Sequence, residues 1–247
     1  MTDEIQFNCT TQRRPSANSQ RVPGGEPSLR PFTEIGLRPR NPQKLVEAAK
    51  SLDYSLVCVA GNTDLDVVTR LDLDPKNPNQ LNQSLRSNRW RTEIIVVNCR
   101  NKSVARKAGQ DRRVDLVTYP VSDKWKRNYL DRQQAGLMRD SGGGYLVDVS
   151  KLLVTNAYFL RKNIEYLKRN LENAVKRGLP VVASSFAAEP LELRDPYGLA
   201  ALLSLLDVDE DHALEMVSKN PYDMVVRNRA KLKDSYVQDG VWVIEDE

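Results

Sequence analysis

The residue types that do chemistry are sparse in this chain, and where they cluster they do not complete a set. Ser184-Ser185 close the apolar run that begins at Val181 and stand where a strand end could present a nucleophile. No base adjoins them, and the Gly-x-Ser-x-Gly elbow is missing. Glu189 and Glu192 follow in the same loop. Two carboxylates at that spacing can do acid–base work, but Arg194 beside them favours a structural ion pair. His212 is the single histidine of the sequence; it sits in Asp209-Glu-Asp-His-Ala, so no second imidazole can complete a triad or a metal site. It reads as a surface residue. Gly142-Gly143-Gly144 has the look of a phosphate cradle but lacks the Gly-Lys-Ser/Thr ending, and a strand rather than a helix follows it. A turn is the better reading. The three cysteines, Cys9, Cys58 and Cys99, have neither metal-finger nor disulfide spacing; Cys58 and Cys99 lie in apolar runs, as buried thiols of a reducing compartment do. No catalytic residue, no metal ligand and no bound cofactor is expected of the polypeptide.

The elements that must position these residues are written most clearly between Pro180 and Leu206. A β-branched run ends in two serines, a loop follows, and Asp195-Pro196 opens a helix. This is the strand–loop–helix order of a parallel α/β fold, whose functional loops sit at the carboxyl ends of strands. A metal-dependent barrel hydrolase would place an Asp or His there; this strand end reads Ser184, Ser185, Phe186, Ala187, Ala188. Upstream, strand-like runs at 32–37, 55–60, 93–99, 115–119, 145–149 and 181–185 alternate with helical candidates at 42–52, 64–70, 103–109, 130–139 and 156–177. Such alternation predicts a mainly parallel sheet with helices outside it. In the helix 156–177, Leu160, Ile164, Leu167, Leu171 and Ala174 or Val175 make one apolar stripe, while Glu165/Arg169 and Glu172/Lys176 have ion-pair spacing. Gly178 and Pro180 end it. Asp195-Pro196, Asp209 and Asn220-Pro221 each carry the start signal of a C-terminal helix, and Tyr236–Ile244 has strand character.

Residues 1–31 hold few large apolar side chains and carry Pro15, Pro23, Pro27 and Pro31, the composition of a flexible arm. The remainder, 32–247, is expected to be a single α/β barrel domain, a size ordinary for that fold. Residues 73–90, rich in Asn, Gln and Pro, read as an insertion between barrel units. The formal charge of +4 is a mild basic excess, too small alone to declare a nucleic-acid binder. No apolar run is long enough to span a bilayer, and no charged-then-apolar leader opens the chain.

Several segments, in order, resemble the archaeal ribonuclease P protein component 3 family, relatives of the thirty-kilodalton subunit of the eukaryotic enzyme. They are Leu45–Ser55, Arg113–Pro120 with Asp131–Gln133, Tyr145–Ser150, and Val182–Ser185 through Pro190–Tyr197. Val217–Pro221 and Arg227–Arg229 also fit, so the likeness runs from about Thr33 to Lys233. The resemblance implies a TIM-barrel-like α/β fold of the polymerase-and-histidinol-phosphatase type, without metal ligands and with extra C-terminal helices. It implies a cytoplasmic subunit that binds the ribonuclease P RNA, pairs with an RRM-like protein and joins other ribonuclease P proteins. It further implies support for endonucleolytic removal of 5′ leaders from precursor tRNA, with hydrolysis carried by the RNA and its Mg²⁺. The arm and the 73–90 stretch depart from the family pattern. A metal-dependent phosphoesterase of the related barrel superfamily is the alternative; it would need several His and Asp ligands at strand ends. A metal-free small-molecule barrel enzyme finds no lysine or acid pair to support it. Basic residues near strand ends are the candidates for RNA contact, which selects Arg38, Arg100, Arg106 and Arg113. Arg132 and Arg194 join them because they fall inside family-like segments.

Overall fold

Short runs rich in β-branched residues, buried on both faces, form strands that pair parallel and strictly in chain order. They are β1 (Thr33–Leu37), β2 (Leu56–Ala60), β3 (Val68–Leu73), β4 (Ile94–Asn98), β5 (Leu116–Thr118), β6 (Gly144–Asp148) and β7 (Val181–Ser184). The computed structural model describes residues 30–61, 64–121, 128–233, 236–238 and 241–242, so the expected arm falls almost wholly outside the described residues. The seven strands curl into a nearly closed barrel. β1 and β7 abut without a shared ladder, and backbone bonds beyond their ends continue the seam, from Arg38 N to Ala187 O (3.0 Å) and from Arg40 N to Ala188 O (3.3 Å).

The strand pleat sorts the core into two parts. Ile35, Cys58, Val68, Ile94, Val96, Leu116, Leu146 and Val182 fill the barrel, joined by Met224 and Val225 of the last long helix. The alternate residues, among them Val57, Val59, Ile95, Val97, Val117, Tyr145 and Val181, face the surrounding helices in a larger apolar layer. Those helices are α1 (Pro42–Ser51), α2 (Pro78–Asn88), α3 (Lys102–Gln110), α4 (Arg132–Ser141), α5 (Ala157–Val175), α6 (Pro196–Leu202), α7 (Glu210–Val217) and α8 (Lys219–Lys231). An Asn or Asp side chain caps the start of each from α1 to α7, accepting a backbone N–H of the first turn. Gly142 closes α4 at φ 83°, a left-handed turn that leads straight into β6. No helix among the described residues is long and apolar enough to cross a membrane.

The structure corrects several expectations. Residues 64–70 do not form a helix; β3 occupies Val68–Leu73, and its charged Arg70 and Asp72 hide the alternation that marks a strand. The stretch 73–90 is no insertion, since α2 is the crossover helix from β3 to β4 and completes a regular barrel unit. α8 starts at Lys219 rather than after Asn220, whose side chain instead donates to Val181 O at 2.8 Å. Tyr236–Gln238 (β8) and Val241–Trp242 (β9) form a separate antiparallel hairpin.

In α5 the buried face is Asn163, Tyr166, Leu167, Asn170, Leu171 and Ala174, while Leu160 and Ile164 are half-buried and Val175 is exposed. Hydrogen bonds turn the helix this way. Asn170 accepts from Leu130 N (3.0 Å) and donates to Tyr145 Oη (3.1 Å), and Tyr166 donates to Asn128 O (2.8 Å). Three buried polar groups satisfied at once outweigh the pure apolar stripe. Glu172 and Lys176 pair at 3.0 Å as their spacing predicts, whereas the Arg169 guanidinium lies 3.4 Å from the centre of the Tyr129 ring.

Candidate functional site

At the carboxyl ends of the strands the barrel interior changes character. From β3 to β7, two residues beyond an inward apolar side chain stands a polar one: Arg70 after Val68, Asn98 after Val96, Thr118 after Leu116, Asp148 after Leu146 and Ser184 after Val182. A barrel that only needed filling would continue with apolar side chains, and this end is where barrels carry their sites. At this end opens a pocket of about 120 Å³, walled in part by Arg38, Asn98, Thr118, Asp148, Lys151 and Phe186 and on its outer side by Tyr145 and Leu167. Arg70, fully buried, donates to Ile35 O and pairs with Asp72 (2.9 Å); Arg38 takes the same carboxylate from outside, also at 2.9 Å. Asp148 is held by Ser150 (N to Oδ1, 3.1 Å) and by Lys151 at 3.4 Å. Both carboxylates of the mouth are thus engaged by cations.

Phe186 covers the barrel interior and packs on its apolar cluster. It adopts φ 54°, a left-handed backbone that a bulky residue rarely takes. The Arg38 guanidinium sits 4.7 Å from its ring centre on one side, and that of Arg70 6.0 Å away. Asn98 Oδ1 is buried and has no hydrogen-bond partner among the described residues. An unpaired buried acceptor costs about 1–3 kcal/mol, so its presence at the mouth calls for a physical explanation.

Beside the mouth, the seam between β1 and β7 is closed by a carboxylate. Glu34 is buried and accepts Ser184 Oγ, Gly36 N (3.0 Å) and Ser185 N (3.2 Å). Burial, the leading influence, holds its carboxyl above the ordinary value although these bonds favour the anion. The serines flagged as a possible nucleophile therefore serve this carboxylate. Glu189 and Glu192 do not pair with Arg194. Glu189 meets Arg40 at 3.1 Å, Glu192 caps its own turn by accepting Ala188 N at 2.7 Å, and Arg194 donates to the carbonyls of Leu191 (3.2 Å) and Leu193 (2.7 Å). The loop's backbone amides compete for the carboxylates and the neighbouring carbonyls capture the guanidinium. His212 is exposed and bonded to Asp209 at 2.6 Å, which raises its basicity. Cys58 and Cys99 are buried, and burial pushes both thiols up.

The six arginines selected from sequence do not form one surface. Arg38 belongs to the mouth. Arg100 follows β4 at the same end and is held by Asp74 at 2.6 Å. Arg106 and Arg132 are brought together on the α3–α4 face, where Arg106 grips Asp131 with two bonds (2.9 and 2.8 Å). Arg132 is exposed and shares a shallow groove with Tyr129 and Arg169. Arg113 precedes β5, at the opposite end of the barrel, bound to Asp111 (2.7 Å) and Asn82 (2.8 Å). Arg194 lies on the loop to α6. Sequence reasoning missed Asn98, Thr118, Asp148 and Arg70. Their signal was present as a polar residue two places after an apolar one at successive strand ends.

Among the described residues, no three His, Cys, Asp or Glu side chains gather into a group that could hold a metal ion. Fold and site together define a TIM-like parallel barrel with a polar, partly cationic mouth at the carboxyl ends of its strands. The chain belongs to the RNase P subunit p30 family, which it matches over residues 33–233, the whole barrel and its C-terminal helices. It is 26% identical over 219 residues to ribonuclease P protein component 3 of Methanosarcina mazei, covering 83% of this chain and 90% of that one. The corresponding protein of Methanocaldococcus jannaschii is 23% identical over 201 residues, covering 81% and 85%. The fold superposes on a chain from a cryo-EM structure of archaeal ribonuclease P with mature tRNA. The TM-score is 0.76 at 20% identity, over 87% of this chain and 99% of the other.

Proposed function

We propose that this chain acts as a non-catalytic, RNA-binding protein subunit of ribonuclease P. It supports removal of 5′ leaders from precursor tRNA, with phosphodiester hydrolysis carried by the RNA component and its Mg²⁺. The observation that carries this reading is the family match over residues 33–233, which spans every strand of the barrel. The chemistry of the mouth agrees with it. The carboxylates there are already engaged, the barrel-end serines serve Glu34, and what stays available is arginine, lysine, amide and aromatic surface, the inventory of RNA recognition. In this reading the partners are the ribonuclease P RNA, an RRM-like subunit with which the chain pairs, the other ribonuclease P proteins, and precursor tRNA within the assembly. The compartment is the cytoplasm, and the buried Cys58 and Cys99 thiols fit a reducing one. Affinity purification of the tagged chain from its own cells tests this. A stable RNA that cleaves precursor tRNA, recovered with companion proteins that include an RRM-like subunit, supports it. Recovery of the chain without RNA contradicts it.

A further inference from the structure

We propose that the barrel mouth receives the base of an unpaired purine nucleotide of an RNA, adenine being the best match, with Asn98 reading its edge. The inference rests on the RNA-binding role above and assigns that role a site. Size comes first. At about 120 Å³ the pocket has room for roughly four waters, well below the ~300 Å³ at which sites for whole small molecules begin. Its occupant is therefore a protruding piece of something larger.

Shape and polarity narrow that piece. The walls offer a guanidinium over an aromatic ring, Arg38 on Phe186, and the Arg38 side chain remains 46% exposed. Guanidinium planes and aromatic rings are the surfaces on which splayed RNA bases stack. Asn98 offers a carboxamide whose Oδ1 has no partner among the described residues, and a carboxamide pairs with adenine by accepting from N6 and donating to N7. Thr118 lines the same pocket and adds a hydroxyl that can donate or accept. Electrostatics agree: Asp72 is shared by Arg38 and Arg70, and Asp148 is held by Lys151, so among the described residues of the pocket wall both carboxylates are engaged by cations. The backbone strain at Phe186 fits as well, because strained positions persist where the surroundings fix a side chain for a task.

The test uses the full chain with fluorescein-labelled eight-nucleotide oligoadenylate and oligouridylate, AMP, and the ribonuclease P RNA from the same cells. The wild type should bind oligoadenylate about tenfold tighter than oligouridylate, and Asn98→Ala should abolish that preference at an unchanged thermal midpoint. Ultraviolet cross-linking of oligoadenylate to the wild type should attach it to the peptide containing Phe186, a readout that needs no variant. A preference that survives Asn98→Ala, no preference in the wild type, or cross-links confined to other faces would overturn the assignment. AMP binding as tightly as the oligonucleotide would overturn it too, in favour of a free-nucleotide site. If the wild type fails to bind the ribonuclease P RNA at all, the subunit reading falls. If it binds that RNA with no purine preference, only the mouth assignment falls.

Discussion

Ser184 on the last strand donates its hydroxyl to Glu34 on the first, and this side-chain bond stands where the barrel lacks a closing ladder. The barrel is thus fastened by a buried acid, together with the backbone bonds beyond the strand ends, rather than by a closing ladder. Folding holds the Glu34 carboxyl above its ordinary value of 4.5, with burial the leading cause. A carboxyl raised in this way favours the native state at pH below 4.5 and withdraws that favour as pH climbs through the folded value. Glu34→Gln cannot titrate. Its thermal midpoint, minus that of the wild type, should therefore grow as the pH rises above the ordinary carboxyl value of 4.5. A difference that stays constant with pH would show that Glu34 does not titrate differently on folding.

Gly36 explains how closely the two strands approach. A Cβ built there would lie 2.0 Å from Ser184 Oγ, so Gly36→Ala must push the seam apart and disturb the Glu34 bonds. Overpacking of this kind costs on the order of 1–3 kcal/mol. Urea unfolding should show a lower midpoint for the variant; an unchanged one would mean that the seam is loose.

Arg113 and Arg132 should behave differently although both were selected for RNA contact. The hydrogen bond from Arg113 is the leading cause that holds the Asp111 carboxyl below its ordinary value of 3.8. A depressed carboxyl adds stability above that value and loses it as pH falls through the folded one. Arg113→Ala should thus destabilise by about 1 kcal/mol at neutral pH, a figure reduced for the partial exposure of the arginine. The loss should fade in acid, as thermal melts at a series of pH values will report.

Arg132 is exposed at the first position of α4, beside the stacked Arg169–Tyr129 pair. Arg132→Ala should leave the melt unchanged, weaken binding to ribonuclease P RNA severalfold and lower the salt slope by about one. Equal salt slopes for variant and wild type would remove Arg132 from the interface.

Much of this architecture could be read from the sequence because burial wrote it there. β4, β5, β6 and β7 are largely apolar runs closed by polar residues, β2 is an apolar run ending at Gly61, and helix starts at Asn41, Asp131, Asn156, Asp195 and Asp209 carry their caps. β3 was hidden because Arg70 and Asp72 occupy inward positions that the usual pattern reserves for apolar residues. The orientation of α5 was hidden because Asn163 and Asn170 are buried by bonds to backbone outside the helix, at Lys151 and Leu130, which local periodicity cannot reveal. The site was only half legible. Absence of a ligand set at Ser184–Ala188 is a local fact of sequence, but the pairing of Arg38 with Asp72 and of Arg100 with Asp74 joins different barrel units.

The central claim is that the chain assists an RNA catalyst without cutting RNA itself, and one experiment addresses it directly. Precursor tRNA cleavage is followed across a Mg²⁺ series with the RNA-free chain alone, with the ribonuclease P RNA alone, and with both plus the RRM-like partner. The account predicts no cleavage by the chain alone at any Mg²⁺ level. It also predicts a cleavage curve shifted to lower Mg²⁺ when proteins join the RNA, because protein cations replace part of the counterions that RNA folding and docking require. Metal-dependent cleavage by the RNA-free chain, or a Mg²⁺ requirement unmoved by the proteins, would contradict it.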